Sequence, residues 1–362
     1  MRIAQLTLDG YVNYGNMLQK FALNHTLKKF ADVVEVLWGD EIKFLPEDGL
    51  TPIMQCVLNN QRPNHQMTFF LREAVRQSKF KDFENLHVPT RFDLPYLEEV
   101  ADEYDYFVAG SDQIWNPLWA PPHLFLRFVP REKKIAYAAS IGTSEIPDAK
   151  KEIYRRDLSD FKYLSVREDT AAKIIGDLTG QTPPVLPGPV LLLTKDDWLA
   201  VAQKPTWLKE KYSRGFVLTY YIQTLPPPEV KALAAKLNLP VINLLDVENF
   251  NHFANGPAEF VWLFAHSSLT FTNSFHGVAF SILFKRPFIN REIKNFERIS
   301  MLSRMTDVLK LFGLEDRQSF GKKIFTAEEA LTIDFTRRDK VLPRERDKAF
   351  KFLAEALGGD AR

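Results

Sequence analysis

The chain has 362 residues and a formal net charge of +1, enough length for two domains and no global field that would draw it to nucleic acid or an acidic membrane. A single cysteine, Cys56, excludes an intrachain disulfide or thiolate metal cluster and reads as a small core residue. No apolar run approaches the length of a membrane span and the N-terminus reads as a first strand, so a cytoplasmic location is expected.

The alternating run over residues 3–8 predicts a strand, and a turn leads into YGNMLQKFALNHTLKKF, whose Leu23, Leu27 and Phe30 fall at helical spacing. Gly15 and Asn16 begin that helix and form a possible anion seat, with Gln19 one turn in. Residues 33–38 read as a second strand. Residues 40–100 are polar, aromatic and irregular, with a helix expected near 65–86. A third strand over 104–109 runs into SDQIWNP, residues 111–117. In this segment Ser111, Asp112, Gln113 and Asn116 can bond a polyol, and Trp115 offers a flat face for a sugar at the strand's C-terminal end, where open α/β sheets bind ligands. The alternative reading is a capped turn over a core indole.

Further strands are expected over 134–140 and 164–167. The second ends in Arg167, whose planar fork suits phosphate or carboxylate. Four prolines and three glycines over 176–189 rule out a long helix and suggest an interdomain linker. Strand and helix then alternate: Thr194 with Asp197 gives a capping box, strands read over 216–222 and 241–245, and Pro257 opens a helix. The stretch over 269–291, LTFTNSFHGVAFSILFKRPFINR, reads as strand, turn, helix and strand. Asn273 or Ser274 can cap the helix, and His276 falls in its first turn beside free N–H groups that favour an anion. Basic residues follow: Arg291, Lys294, Arg298 and Arg304. An amphipathic helix over 344–358 closes the chain and is expected to pack back on the first domain. The pattern predicts an α/β protein with domains over 1–180 and 181–343.

Taken together, YGNMLQKFAL, YDYFVAGSDQIWNP, YLSVRED, GPAEFVWLF and TNSFHGVAFSILFKRPFI resemble the polysaccharide pyruvyl transferase family, in family order and over nearly the whole chain. One departure is Pro187-Gly188, where members often carry Asp-Pro. The resemblance implies two Rossmann-like domains facing a cleft, similar to the GT-B glycosyltransferases. It also implies transfer of a pyruvyl group from phosphoenolpyruvate to a sugar as a cyclic ketal, with the first domain on the acceptor side. Carried over by motif, His276 and Arg167 serve the donor. His276 is expected as general acid or phosphate partner, Arg167 as an anion clamp and Asp112 as a base for an acceptor hydroxyl. Asn16, Gln19, Ser111, Gln113, Trp115, Asn116, Asn273, Ser274, Lys294 and Arg298 complete the expected substrate contacts. No cofactor is expected beyond phosphoenolpyruvate as donor substrate, and the chain has no Asp-x-Asp or His-x-His metal signature. The acceptor sugar can be lipid-linked, nucleotide-linked or polymeric. Competing readings are a sugar-nucleotide glycosyltransferase on the same scaffold and a non-catalytic glycan-binding protein.

Overall fold

The computed structural model describes residues 1–8, 12–37, 65–91, 97–291, 302–319, 324–359 and 361. Cys56, Lys294 and Arg298 lie outside the described residues. In the first half of the chain, six strands form one parallel sheet: β1 (Arg2–Leu6), β2 (Val33–Leu37), β3 (Thr90–Arg91), β4 (Tyr106–Asp112), β5 (Lys134–Ala139) and β6 (Tyr163–Val166). Their order is β3-β2-β1-β4-β5-β6, the Rossmann arrangement. A second parallel sheet holds β7 (Val217–Tyr220), β8 (Val241–Leu244), β9 (Leu269–Thr272), β10 (Phe288–Arg291) and β11 (Gln318–Ser319). Its order, β11-β10-β9-β7-β8, reverses direction between β7 and β9, as the first sheet does between β1 and β4. The fold is therefore α/β with two Rossmann-like sheets, the GT-B-like class expected. Both β4 and β5 are covered on each face, which explains their near-continuous runs of small and apolar residues.

One apolar core joins the two halves. Tyr14, in the first turn of the helix Tyr14–Leu27, stacks on Phe260 with ring centroids 4.5 Å apart, and its hydroxyl donates to the Asn255 carbonyl at 2.7 Å. Trp198 meets Phe280 edge-on at 4.8 Å and Phe21 at 5.4 Å. The C-terminal helix Thr336–Leu357 starts earlier than periodicity predicts and runs through Pro343. Its Phe350 stacks on Phe30 and its Arg346 Nε donates to the Leu191 carbonyl at 2.7 Å. Among the described residues no helix is long and apolar enough to cross a membrane.

Two expectations shift in detail. The proline-rich stretch does not begin at residue 176: the helix Asp169–Thr179 runs on to Gly180, whose φ of +73° ends it. Only the chain beyond is extended, with Val185 bridging Val166. The edge strands β3 and β11 span two residues each, too short for alternation to reveal them.

Phe260 is fully buried where the halves meet. Phe260→Ala is expected to cost about 3–5 kcal/mol of unfolding free energy by denaturant titration. A loss under about 1 kcal/mol would show that the aromatic stack does not hold the halves together.

Candidate functional site

The reversal points of both sheets supply the site. Strand β4 lies at the first reversal and ends in Asp112; β9 lies at the second and feeds the helix Phe275–Phe284 through Ser274. Crevices of this kind, outside the carboxyl ends of strands, are where open α/β sheets bind ligands. Asp112 holds φ at +74°, a left-handed conformation that Asp tolerates better than most residues. Its Oδ1 accepts the Gln113 N–H at 2.9 Å, which fixes the carboxylate.

Arg167 leaves the end of β6 and its Nη2 donates to Asp112 Oδ1 at 3.3 Å. Its guanidinium lies 4.7 Å from the centre of the Phe275 ring, a face from the other half of the chain. Arg304, on the helix Leu302–Phe312, brings Nη1 to 4.0 Å from the same Asp112 oxygen, and its Nη2 lies 2.9 Å from the Gln113 side-chain amide. His276 sits in the first turn of its helix, more than nine-tenths buried. The ring abuts Gly15: a Cβ there would fall 2.2 Å from His276 Nδ1. Glycine at that position is what lets the two halves close around the imidazole.

Several polar atoms in and beside this cluster are buried without a partner: Arg167 Nε and Nη1, Arg304 Nε, His276 Nε2 and Glu168 Oε2. Buried polar groups are almost always bonded, so a group of such atoms at one strand end marks a candidate ligand site. Three of the atoms are guanidinium N–H donors, the kind of group that suits an anion. Electrostatics agree. Burial alone would raise the Asp112 pKa, but the charges of Arg167, His276 and Arg304 outweigh it and hold the carboxyl below its ordinary value. Burial is the main force on His276 and lowers it to about 4; Arg167 and Arg304 add to this and Asp112 opposes it. Burial, then repulsion from Arg167, lowers Arg304 to about 10, offset in part by Glu168 and Asp112. At neutral pH Asp112 is thus a carboxylate, Arg304 a guanidinium ion and the His276 imidazole uncharged.

Other expected contacts are turned elsewhere. Trp115 is not a sugar platform. It is fully buried, stacked on Phe125 and edge-on to Phe161, and its Nε1 donates to the Leu124 carbonyl at 3.3 Å. Asn116 Oδ1 accepts the Leu118 N–H, which shapes the turn. Gln19 accepts the Ser111 N–H and donates to Thr7 Oγ1, tying β1 to β4, while Ser111 Oγ donates to the Ala138 carbonyl. Asn273 exchanges two bonds with the Ile222 backbone. Ser274 occupies the helix N-cap with no side-chain cap bond. Asn13 caps the helix Tyr14–Leu27, and the Gly15 and Asn16 N–H groups donate to its side chain. Gln113 alone of this group reaches the charged cluster. Arg304 carries no motif: in sequence it is one basic residue in a row with Arg291, Lys294 and Arg298.

Two outcomes follow from this geometry. His276 binds its proton more weakly folded than unfolded, so it makes stability fall as pH drops from about 6.5 toward 4. His276→Gln should therefore lose about 2 kcal/mol less stability than the parent between pH 7 and pH 5 in denaturant titrations. Identical pH dependence in both proteins would rule out a buried neutral imidazole. Gly15→Ala should fold yet displace the imidazole, and equal ligand-induced thermal shifts in it and the parent would contradict the close approach.

A family model for polysaccharide pyruvyl transferases matches residues 13–294. No curated protein matches the chain significantly. Among solved structures, HepE from Anabaena in complex with UDP is similar at 12% identity and a TM-score of 0.46, over 99% of this chain and 100% of that one. UDP-GlcNAc 2-epimerase from Neisseria meningitidis, bound to UDP-GlcNAc, is similar at 10% identity and a TM-score of 0.45, over 98% and 100% of the two chains. The ADP-heptose lipopolysaccharide heptosyltransferase II of E. coli is similar at 12% identity and a TM-score of 0.32, over 96% and 99%. The family match spans SDQIWNP, Arg167 and the stretch around His276, so the chain belongs to the polysaccharide pyruvyl transferase family.

Proposed function

We propose that this protein transfers the pyruvyl group of phosphoenolpyruvate to two hydroxyls of a sugar, forming a ketal and releasing phosphate. The observation that carries the reading is the set of unpartnered buried N–H donors on Arg167 beside the unpartnered His276 Nε2. Phosphoenolpyruvate presents a phosphate and a carboxylate, and each charge-assisted hydrogen bond to them contributes roughly 1.5–3 kcal/mol. With a net charge of +1 the protein cannot attract such a donor as a whole, so local groups must hold it.

Atoms balance as follows. One sugar hydroxyl adds to C2 of the donor while the methylene carbon takes a proton and becomes a methyl group. The C2–O bond to phosphate then breaks, and the second hydroxyl closes the ketal. Of the two hydroxyl protons, one is matched by the new methyl proton and the other leaves with phosphate. His276 is the acid or phosphate partner: uncharged in the free protein, it is raised toward protonation when the anionic donor sits against it. Arg167 clamps the donor. Asp112 is a weaker candidate for base than its position in the motif implies, because its carboxyl is held below the ordinary range and bonded to Arg167 and the Gln113 N–H. It serves better by aiming Arg167. The acceptor is a sugar of a cell-surface polysaccharide or its precursor.

The test is phosphate release from phosphoenolpyruvate across a panel of acceptor sugars, with the ketal identified by mass spectrometry. His276→Gln should lower kcat by about 10²–10⁴-fold while the protein stays folded by circular dichroism. Release of a nucleoside diphosphate from a sugar nucleotide, with no phosphate from phosphoenolpyruvate, would overturn the reading. Full turnover by folded His276→Gln would remove the histidine's role.

A further inference from the structure

We infer that Arg304 is the second guanidinium of the donor site, so that each of the donor's two anionic groups meets its own arginine. The inference rests on the pyruvyl-transfer reading for the identity of the donor. Arg304 is more than nine-tenths buried, reaches Asp112 from the opposite half of the chain to Arg167, and leaves Nε without a partner. Two guanidinium ions thus share one oxygen of a single carboxylate. The next acidic residue, Glu168, engages its Oε1 with Ser140 Oγ and with the Ile141 and Gly142 N–H groups, while its Oε2 is unpartnered and its charge, with that of Asp112, favours the Arg304 cation.

Burying two guanidinium groups with N–H donors left unpaired does not stabilise a fold, because the desolvation of those donors is not returned. An incoming ligand with two negative groups supplies the acceptors that these donors lack. The helix carrying Arg304 is docked for the purpose. Asp307, one turn further on, accepts the Asp169 N–H at 3.2 Å and so caps the helix Asp169–Thr179 from across the cleft. Arg167 and Arg304 are therefore held on opposite sides of Asp112 by different halves of the chain.

Steady-state kinetics on the full chain test this. Arg304→Gln should raise the KM for phosphoenolpyruvate by about tenfold or more and leave the acceptor KM within about twofold. Arg304→Lys, which keeps the charge but loses the fork, should raise the donor KM by less, and it carries the test if Arg304→Gln fails to fold. An unchanged donor KM in a folded variant, with phosphate still released, overturns the inference and leaves pyruvyl transfer standing. If the parent protein does not turn over phosphoenolpyruvate, thermal shifts with phosphoenolpyruvate and with inorganic phosphate decide instead. A shift seen in the parent and lost in Arg304→Gln supports Arg304 as an anion ligand; equal shifts, or none in either protein, overturn it.

Discussion

The Asp112 carboxylate is the constraint on which this site depends. It sits between Arg167 and Arg304 and lowers the cost of keeping two guanidinium ions out of water at close range. Remove its charge and the pair would repel across the gap between the two halves, since Arg167 belongs to the first and Arg304 to the second. The carboxylate is itself fixed by the left-handed turn at the end of β4 and by the Gln113 N–H. A local backbone choice at one strand end thus sets the charge geometry of the whole crevice.

Packing and chemistry meet in two neighbouring residues. Tyr14 points into the aromatic core that joins the halves and stacks on Phe260, while Gly15, the next residue, makes room for His276. Any movement of the helix Tyr14–Leu27 relative to the second sheet would therefore disturb both the core and the imidazole. The fully buried Phe260, Phe264 and Phe280 make such movement costly. This is why a site assembled from two halves holds a defined geometry without a covalent link across it.

Sequence patterns reveal those parts of the site that local rules fix. His276 is legible because a strand, two small polar residues and an apolar run place it in a helix's first turn. Arg167 is legible because it follows a strand directly. Trp115 shows where such rules stop: an indole just past a strand end is equally consistent with a sugar platform and with core packing, and only the rings of Phe125 and Phe161 decide for the core. Asn116 and Asn273 are engaged for a related reason, since short polar side chains just past strand ends are in demand for bonding neighbouring backbone, and Gln19 reaches the Ser111 N–H from its helix. Arg304 is illegible because its importance comes from a contact across the cleft to Asp112, 192 positions away in sequence (from 112 to 304), and no periodicity encodes that.

The neutral state of His276 has a consequence for the order of events under the pyruvyl-transfer reading. In the free protein, burial and two nearby guanidinium ions keep the imidazole uncharged, with a pKa of about 4. An anionic donor reverses the balance of charge around the ring, and an anion within a few ångströms favours the protonated form. Under that reading a seated donor shifts the ring toward its protonated form. A permanently charged imidazolium would add a third positive group to a buried cluster whose guanidinium groups already have donors unpaired. Keeping the histidine neutral until the donor arrives avoids that repulsion and couples readiness for proton transfer to occupancy of the site.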